Sequence, residues 1–192
     1  MPPLVLASSS RYRRALLARL GLPFAWEAPE IDEEASERSA LPPRAIAEQL
    51  AERKARAVAA RHPQAVVIGS DQLAHLDGEL LGKPGSAAAA EQQLARLAGR
   101  EHELVTAVCV LHPQGAERAT VVARLRMRAL DAASIARYVA ADQPLDCAGS
   151  YKLEQRGIAL FERIACEDHT AIVGLPLLWL SGTLIRLGFP LP

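Results

Sequence analysis

Short apolar runs alternate with helical stretches along this chain, and that alternation is its tightest constraint, because strands separated by helices build a layered α/β sheet. Leu4–Ala7 reads as a buried strand, Ser8-Ser9-Ser10 as a polar turn, and Arg11–Leu20 as a helix stopped by Gly21 and Pro23. Phe24–Ala28 reads as a second strand, opening into the acidic loop from Glu30 to Glu34. Pro42 and Pro43 start a helix to about Arg61. Ala65–Ile68 reads as a strand that ends at Gly69-Ser70-Asp71-Gln72, and Asp77-Gly78 marks a hairpin. Ser86 caps a helix to Leu97, closed by Gly99. Glu103–Leu111 and Glu117–Arg128 pair around His112-Pro113-Gln114-Gly115, with Arg124, Arg126 and Arg128 on a wet face. Asp131 caps a helix to Ala141, Ile158–Ala165 reads as a strand, and Leu175–Leu187 as the last helix. A hairpin among strand–helix units makes the sheet mixed.

At 192 residues the chain is one domain or a compact pair of lobes, with 50% apolar and 23% charged residues supporting a packed core. That length buries roughly 70% of the unfolded surface, so no disulfide or structural metal is required. Cys109, Cys147 and Cys166 are odd in number and lack CxxC spacing, which points to a reducing cytoplasm. The N-terminus places its apolar run before its basic residues, the reverse of a signal peptide, and no run approaches the roughly 20 residues of a membrane span. Zero net charge and eight aromatics argue against a nucleic-acid partner. Of 22 basic residues only Lys54, Lys83 and Lys152 are lysine. In so arginine-rich a chain, a retained point charge is a better site candidate than an average lysine.

Several constellations carry chemistry. Three serines and a helix N-terminus converge where the first strand ends, with Arg11, Arg13 and Arg14 in the first turn. Such a terminus attracts anions, and basic residues there oppose the helix dipole until an anion arrives. The plainer alternative is an N-cap followed by a solvated turn. Asp71 stands at the end of a buried strand, where α/β sheets place ligands, or it merely caps the next turn. The carboxylates of Asp32, Glu33 and Glu34 suit a hard divalent cation, or form solvated surface. Lys54 falls in the apolar stripe of its helix, four residues after Leu50, and Lys83 sits in the stiff turn Gly82-Lys83-Pro84. The loop Asp146–Glu154 is dense in small and polar residues; Cys147 there has no base partner and reads as packing.

In order, these motifs are S-x-S-x-x-R near residue 10, Glu33, K-A in the second helix, G-S-D-Q, G-K-P, A-G-S-Y-K-L-E and V-G-L-P. Together they resemble the Maf family of nucleotide pyrophosphatases, from Leu4 to about Leu187. Ser-Asp-Gln with Ala-Gly-Ser-Tyr-Lys-Leu-Glu is similar to the branch acting on 7-methyl-GTP; the dTTP and UTP branch reads Ser-Asp-Thr. The resemblance implies one domain over residues 1–192, an elongated mixed β-sheet with flanking helices, two lobes around a central cleft, and a homodimer. It also implies release of pyrophosphate from a nucleoside triphosphate with Mg²⁺ or Mn²⁺. By position, Asp71 would be the general base, and Tyr12, Gln72 and Glu154 would select the base. Ser8, Ser10, Arg13, Lys54 and Lys83 would hold phosphates, and Glu33 would share the metal with Asp71. Arg11 stands where many members have proline. Maf-like proteins are also associated with inhibition of septum formation, so a nucleotide-responsive regulator without turnover stays open, as does a dTTP/UTP pyrophosphatase.

Overall fold

Leu4 and Leu6 point to one side of the first strand, and Val5 and Ala7 to the other, and the two sides pack against different helices. The computed structural model describes residues 2–32 and 41–191. Its strands are β1 (Leu4–Ala7), β2 (Ala25–Glu27), β3 (Val66–Leu76), β4 (Glu79–Leu81), β5 (Glu101–His112), β6 (Gly115–Met127) and β7 (Phe161–Ala165). Its α-helices are α1 (Arg11–Ala18), α2 (Pro43–Ala59), α3 (Ala87–Leu97), α4 (Ala132–Asp142), α5 (His169–Ile172) and α6 (Leu177–Arg186). The seven strands form one sheet in the order β2-β1-β3-β5-β6-β7, with β4 on β3. β1 pairs parallel with both β2 and β3, whereas β3–β4 and β6–β7 are antiparallel, so the sheet is mixed as expected.

The chain divides into two compact units. The first holds residues 1–72, 106–121 and 168–192. In it, Leu4, Leu6, Val66 and Ile68 pack with Leu16 and Leu17 of α1 and Leu180 and Leu184 of α6. Each such leucine contributes roughly 1.5–3 kcal/mol by burial. Val5, Ala7 and Val67, on the opposite parity, pack with Val58 of α2. The second unit holds residues 73–105 and 122–167. There α3 and α4 lie against one another, with Leu94, Leu97, Ile135 and Val139 buried. Asp77 and Gly78, both at positive φ, close the β3–β4 hairpin.

Three expectations need correction. β3 does not end at Gly69-Ser70-Asp71-Gln72 but runs through it to Leu76, because each polar group there finds an internal partner. The stretch Arg156–Leu160 is a 3₁₀ helix and the strand begins only at Phe161. Gly157 fixes that departure: a Cβ there would lie 2.4 Å from the Lys152 carbonyl oxygen. Finally, α5 precedes the last helix, its N-cap Asp168 accepting from Thr170 N–H.

Candidate active site

Within the first unit, the parity of β3 sends Gly69 and Asp71 toward α2, and Ser70 and Gln72 to the opposite side. Gly69 is a contact glycine rather than a turn residue. A Cβ there would fall 2.2 Å from the Ala51 carbonyl oxygen and 2.8 Å from the Ala55 Cβ. Without it α2 would have to lift off the sheet. This close approach sets Lys54, from the buried stripe of α2, over Asp71, with Nζ 2.6 Å from Oδ1. Lys54 and Asp71 are 5% and 4% exposed, so the pair is withdrawn from water and each charge depends on the other.

On the other side of β3, the Ser70 hydroxyl lies 2.9 Å from the carbonyls of both Ala107 and Gly174. The same Gly174 carbonyl accepts from Arg13 Nε at 2.9 Å, tying the first turn of α1 to the loop between α5 and α6. Gly174 is at φ +113°, and a Cβ would press on Arg13 Nε at 3.2 Å. The Gln72 side-chain nitrogen donates to Thr106 Oγ1, Ala171 O and Ile172 O. Its NH₂ group is therefore committed to the protein, and what Gln72 retains for a ligand is the carbonyl oxygen.

At the end of β1 the chain turns on its own hydroxyls. Ser8 is buried and its Oγ accepts from Ser10 N, while Ser10 caps α1 by accepting from Arg13 N at 3.4 Å. The register Ala7↔Gly69 brings this turn beside Ser70 and Asp71. Tyr12 is half-buried; Arg11 donates to its hydroxyl at 2.7 Å, and the guanidinium lies 4.8 Å from its ring centre. Arg14 stacks on the ring of Trp26 at 4.1 Å.

The first unit thus carries Ser8 and Ser10 at the end of β1, Lys54 and Asp71 on the α2 side of β3, and Arg13 and Gln72 bonded on the opposite side. Lys83 and Glu154 belong to the second unit, and both are exposed. Glu33 lies outside the described residues. Among the described residues no group of three His, Cys, Asp or Glu side chains is placed to hold a metal ion. Burial pushes the Cys147 thiol up to about 12, which agrees with packing rather than nucleophilic work.

Sequence reasoning met Ser70 and Gly174 only as parts of the G-S-D-Q and V-G-L-P motifs, and did not single out Thr106, Asp168 or Thr170. Asp168 accepts from the Thr170 hydroxyl and from Leu178 N, and Thr170 Oγ1 in turn accepts from Leu177 N, so this pair sets the path of the Gly174 loop. A cap signal, Asp168 two residues before Thr170, was available to mark it. A separate groove of about 340 Å³ lies against α2, lined in part by Arg44, Glu48, Glu52, Cys109, Arg118 and Thr120. It contains none of the expected site residues. Its charges are spent on one another: Arg118 holds the Glu52 carboxyl down at about 2, and Arg44 and Thr120 bind Glu48.

A family model described as "Maf-like protein" matches residues 3–187. The 7-methyl-GTP pyrophosphatase of Xanthomonas oryzae pv. oryzae (strain MAFF 311018) is 50% identical over 192 residues, covering 100% of both chains. That of Bordetella pertussis (strain Tohama I) is 49% identical over 187 residues, covering 97% of this chain and 93% of its own. In fold, the chain is similar to the Staphylococcus aureus Ham1 protein, with a TM-score of 0.55 at 18% identity, covering 94% of this chain and 99% of that one.

Proposed function

The chain belongs to the Maf family, and from that premise we propose that it hydrolyses 7-methyl-GTP to 7-methyl-GMP and pyrophosphate. Relatives named for that activity, about half identical along their whole length, support the substrate. The observation that carries the reaction is the buried Lys54–Asp71 pair beside the Ser8–Arg13 turn. A chain that only bound a nucleotide would need the cations but not a buried carboxylate among them.

In this reading a water oxygen attacks the α-phosphorus, the bond to the bridging oxygen breaks, and pyrophosphate leaves with the electron pair. Asp71 accepts a hydrogen bond from that water, aims it, and takes its proton as the bond to phosphorus forms. A carboxylate with a reference pKa of about 3.9 is a weak base, so orientation is the larger part of its work. Lys54 keeps Asp71 in place and brings a positive charge toward a phosphate oxygen. Arg13, held at Nε by Gly174, adds its charge to the Ser8 hydroxyl and the Ser10-capped turn in an anion cradle. Lys83 supplies charge to the outer phosphates.

Asp71 with Glu33 would hold Mg²⁺ or Mn²⁺, because such an ion takes one or two protein carboxylates and fills its shell with phosphate and water. When bound, it neutralises phosphate charge and acidifies water.

Base choice falls to Glu154, Gln72 and Tyr12. Guanine offers N1–H and N2–H₂ side by side, and one carboxylate accepts from both. Methylation at N7 makes the ring cationic and strengthens those bonds. With this goes a homodimer working in the cytoplasm; among the described residues no helix is long and apolar enough to cross a membrane. The test is a panel of canonical and methylated triphosphates with either metal, assayed for pyrophosphate. Nucleoside diphosphate with orthophosphate as products would move the scissile bond and end the proposal; a preference for dTTP or UTP would replace the substrate. Glu154→Gln is expected to hurt 7-methyl-GTP more than UTP, and equal loss on both would remove Glu154 from recognition.

A further inference from the structure

Lys152 has the look of a phosphate ligand: one of three lysines, two residues before Glu154, in a glycine-containing loop. Its surroundings say otherwise. The residue is 6% exposed, and Nζ donates to the carbonyls of Asp142 and Gln143 at 3.0 Å each, with Asp146 Oδ1 at 3.6 Å. Those carbonyls end α4, where a helix leaves acceptors unpaired and the dipole favours a cation. Two of its donors thus meet main-chain oxygens, and the charge is further paired with the Asp146 carboxylate.

The neighbouring residues are anchored to other elements of the same unit. Gly149 and Ser150 both take positive φ, and the Ser150 hydroxyl donates to Gln93 of α3 at 2.6 Å. The Tyr151 hydroxyl meets His102 Nε2 of β5 at 2.9 Å. Lys152 N donates to the Tyr138 hydroxyl of α4 at 2.9 Å, and the Lys152 carbonyl accepts from both Gln155 N and Gly157 N. The turn Leu153-Glu154-Gln155 therefore starts and closes on Lys152.

We propose that Lys152, with the Tyr138 hydroxyl, is a positioning residue that fixes the Glu154 turn and so sets nucleobase selectivity, and that it binds no phosphate. The idea rests on Glu154 reading the base, as proposed above. A carboxylate that must meet two adjacent N–H donors is sensitive to placement, since a shift of about 1 Å costs up to roughly 10²-fold.

Lys152→Met keeps the buried stem and removes the charge. It is expected to lower kcat/KM for 7-methyl-GTP by about tenfold or more, chiefly through KM, and that for UTP by less than about threefold. Inhibition by inorganic pyrophosphate, which has no base, should keep its constant. On a Glu154→Gln background the substitution should erode selectivity no further. Equal losses on both nucleotides with a raised pyrophosphate inhibition constant would make Lys152 a phosphate ligand and overturn the proposal, as would an additive loss on that background. If Lys152→Met does not fold, Tyr138→Phe carries the same test, because it deletes only the acceptor of Lys152 N–H. If the wild type prefers another nucleotide, the substrate reading fails by itself. Erosion of that other preference by Lys152→Met then still supports the clamp, and its persistence refutes it.

Discussion

Lys54 in the first unit and Lys152 in the second are almost equally buried, at 5% and 6% exposure, yet their partners assign them opposite work. Lys54 faces a carboxylate, and on the proposed reading its ammonium would share itself between Asp71 and an incoming phosphate. Lys152 faces main-chain carbonyls at a helix end, one of which also accepts from Leu145 N, and it forms an ion pair with Asp146. A buried lysine is therefore not evidence of a site. What decides is whether its partner is a reactive side chain or the backbone.

The largest effect should come from breaking the first pair. Lys54→Met removes one side of a buried ion pair, which typically costs 3–5 kcal/mol, about that range being expected as a loss in urea unfolding free energy. Lys152→Met removes a donor from two carbonyls and the cation beside the half-exposed Asp146, and about 1–3 kcal/mol is expected. The double variant Lys54→Met, Asp71→Asn should recover much of the first loss without recovering turnover. If both single lysine variants cost the same, the distinction between reactive and structural partners collapses.

Asp71→Asn tests the reactive side alone. It preserves size and polarity but takes the counter-charge from buried Lys54, so some stability should be lost while the fold by circular dichroism and nucleotide binding by calorimetry persist. Turnover should drop at least about 10²-fold, equivalent to about 3 kcal/mol in the barrier. Near-normal turnover would reduce Asp71 to a structural partner of Lys54.

The sequence carried the two halves of this comparison unequally. Strand parity, the caps at Ser10, Ser86 and Asp131, and the Asp77-Gly78 turn are local signals, and the structure follows them closely. The stripe position of Lys54 was also legible, because four-residue spacing after Leu50 is a local property. Its partner was not. Gly69 looked like the end of a strand, since nothing nearby in sequence announces that Ala51 and Ala55 come within contact of it. The same holds for Gly174, which receives Arg13 and Ser70 from 161 and 104 residues away. For Lys152, the acceptors at Asp142 and Gln143 become visible only once the loop folds back on α4.

The structural side can be sharpened by acid. Burial, with His75 adding to it and Glu101 opposing, holds the His102 imidazole down at about 4, against 6.5 when unburied. The native state thus keeps His102 neutral beside Tyr151 while the unfolded chain accepts a proton. Between those values the unfolded state binds more protons, so stability is full above about 6.5 and falls as pH drops toward 4. The total is about 3 kcal/mol at most, read as a falling urea midpoint that flattens in His102→Gln. An unchanged slope in that variant would assign the acid sensitivity elsewhere.

Lys83 is the third lysine, and it fits neither half of the comparison. It is exposed, and among the described residues no ion pair is recorded for it, so its charge is available in a way that Lys54 and Lys152 are not. Pro84 stiffens the turn that carries it. A guanidinium is planar and longer than an ammonium, so Lys83→Arg keeps the charge but moves it relative to an outer phosphate oxygen. Stability should shift by less than about 0.5 kcal/mol, because nothing buried is disturbed. The effect should appear in kcat/KM, as a few-fold loss of about 1 kcal/mol, equal for 7-methyl-GTP and UTP because the phosphates are common to both. That equality is what separates it from Lys152→Met, whose loss depends on the base. A Lys83→Arg enzyme with unchanged kcat/KM would remove the phosphate role, and with it the argument that a retained lysine in an arginine-rich chain marks a site.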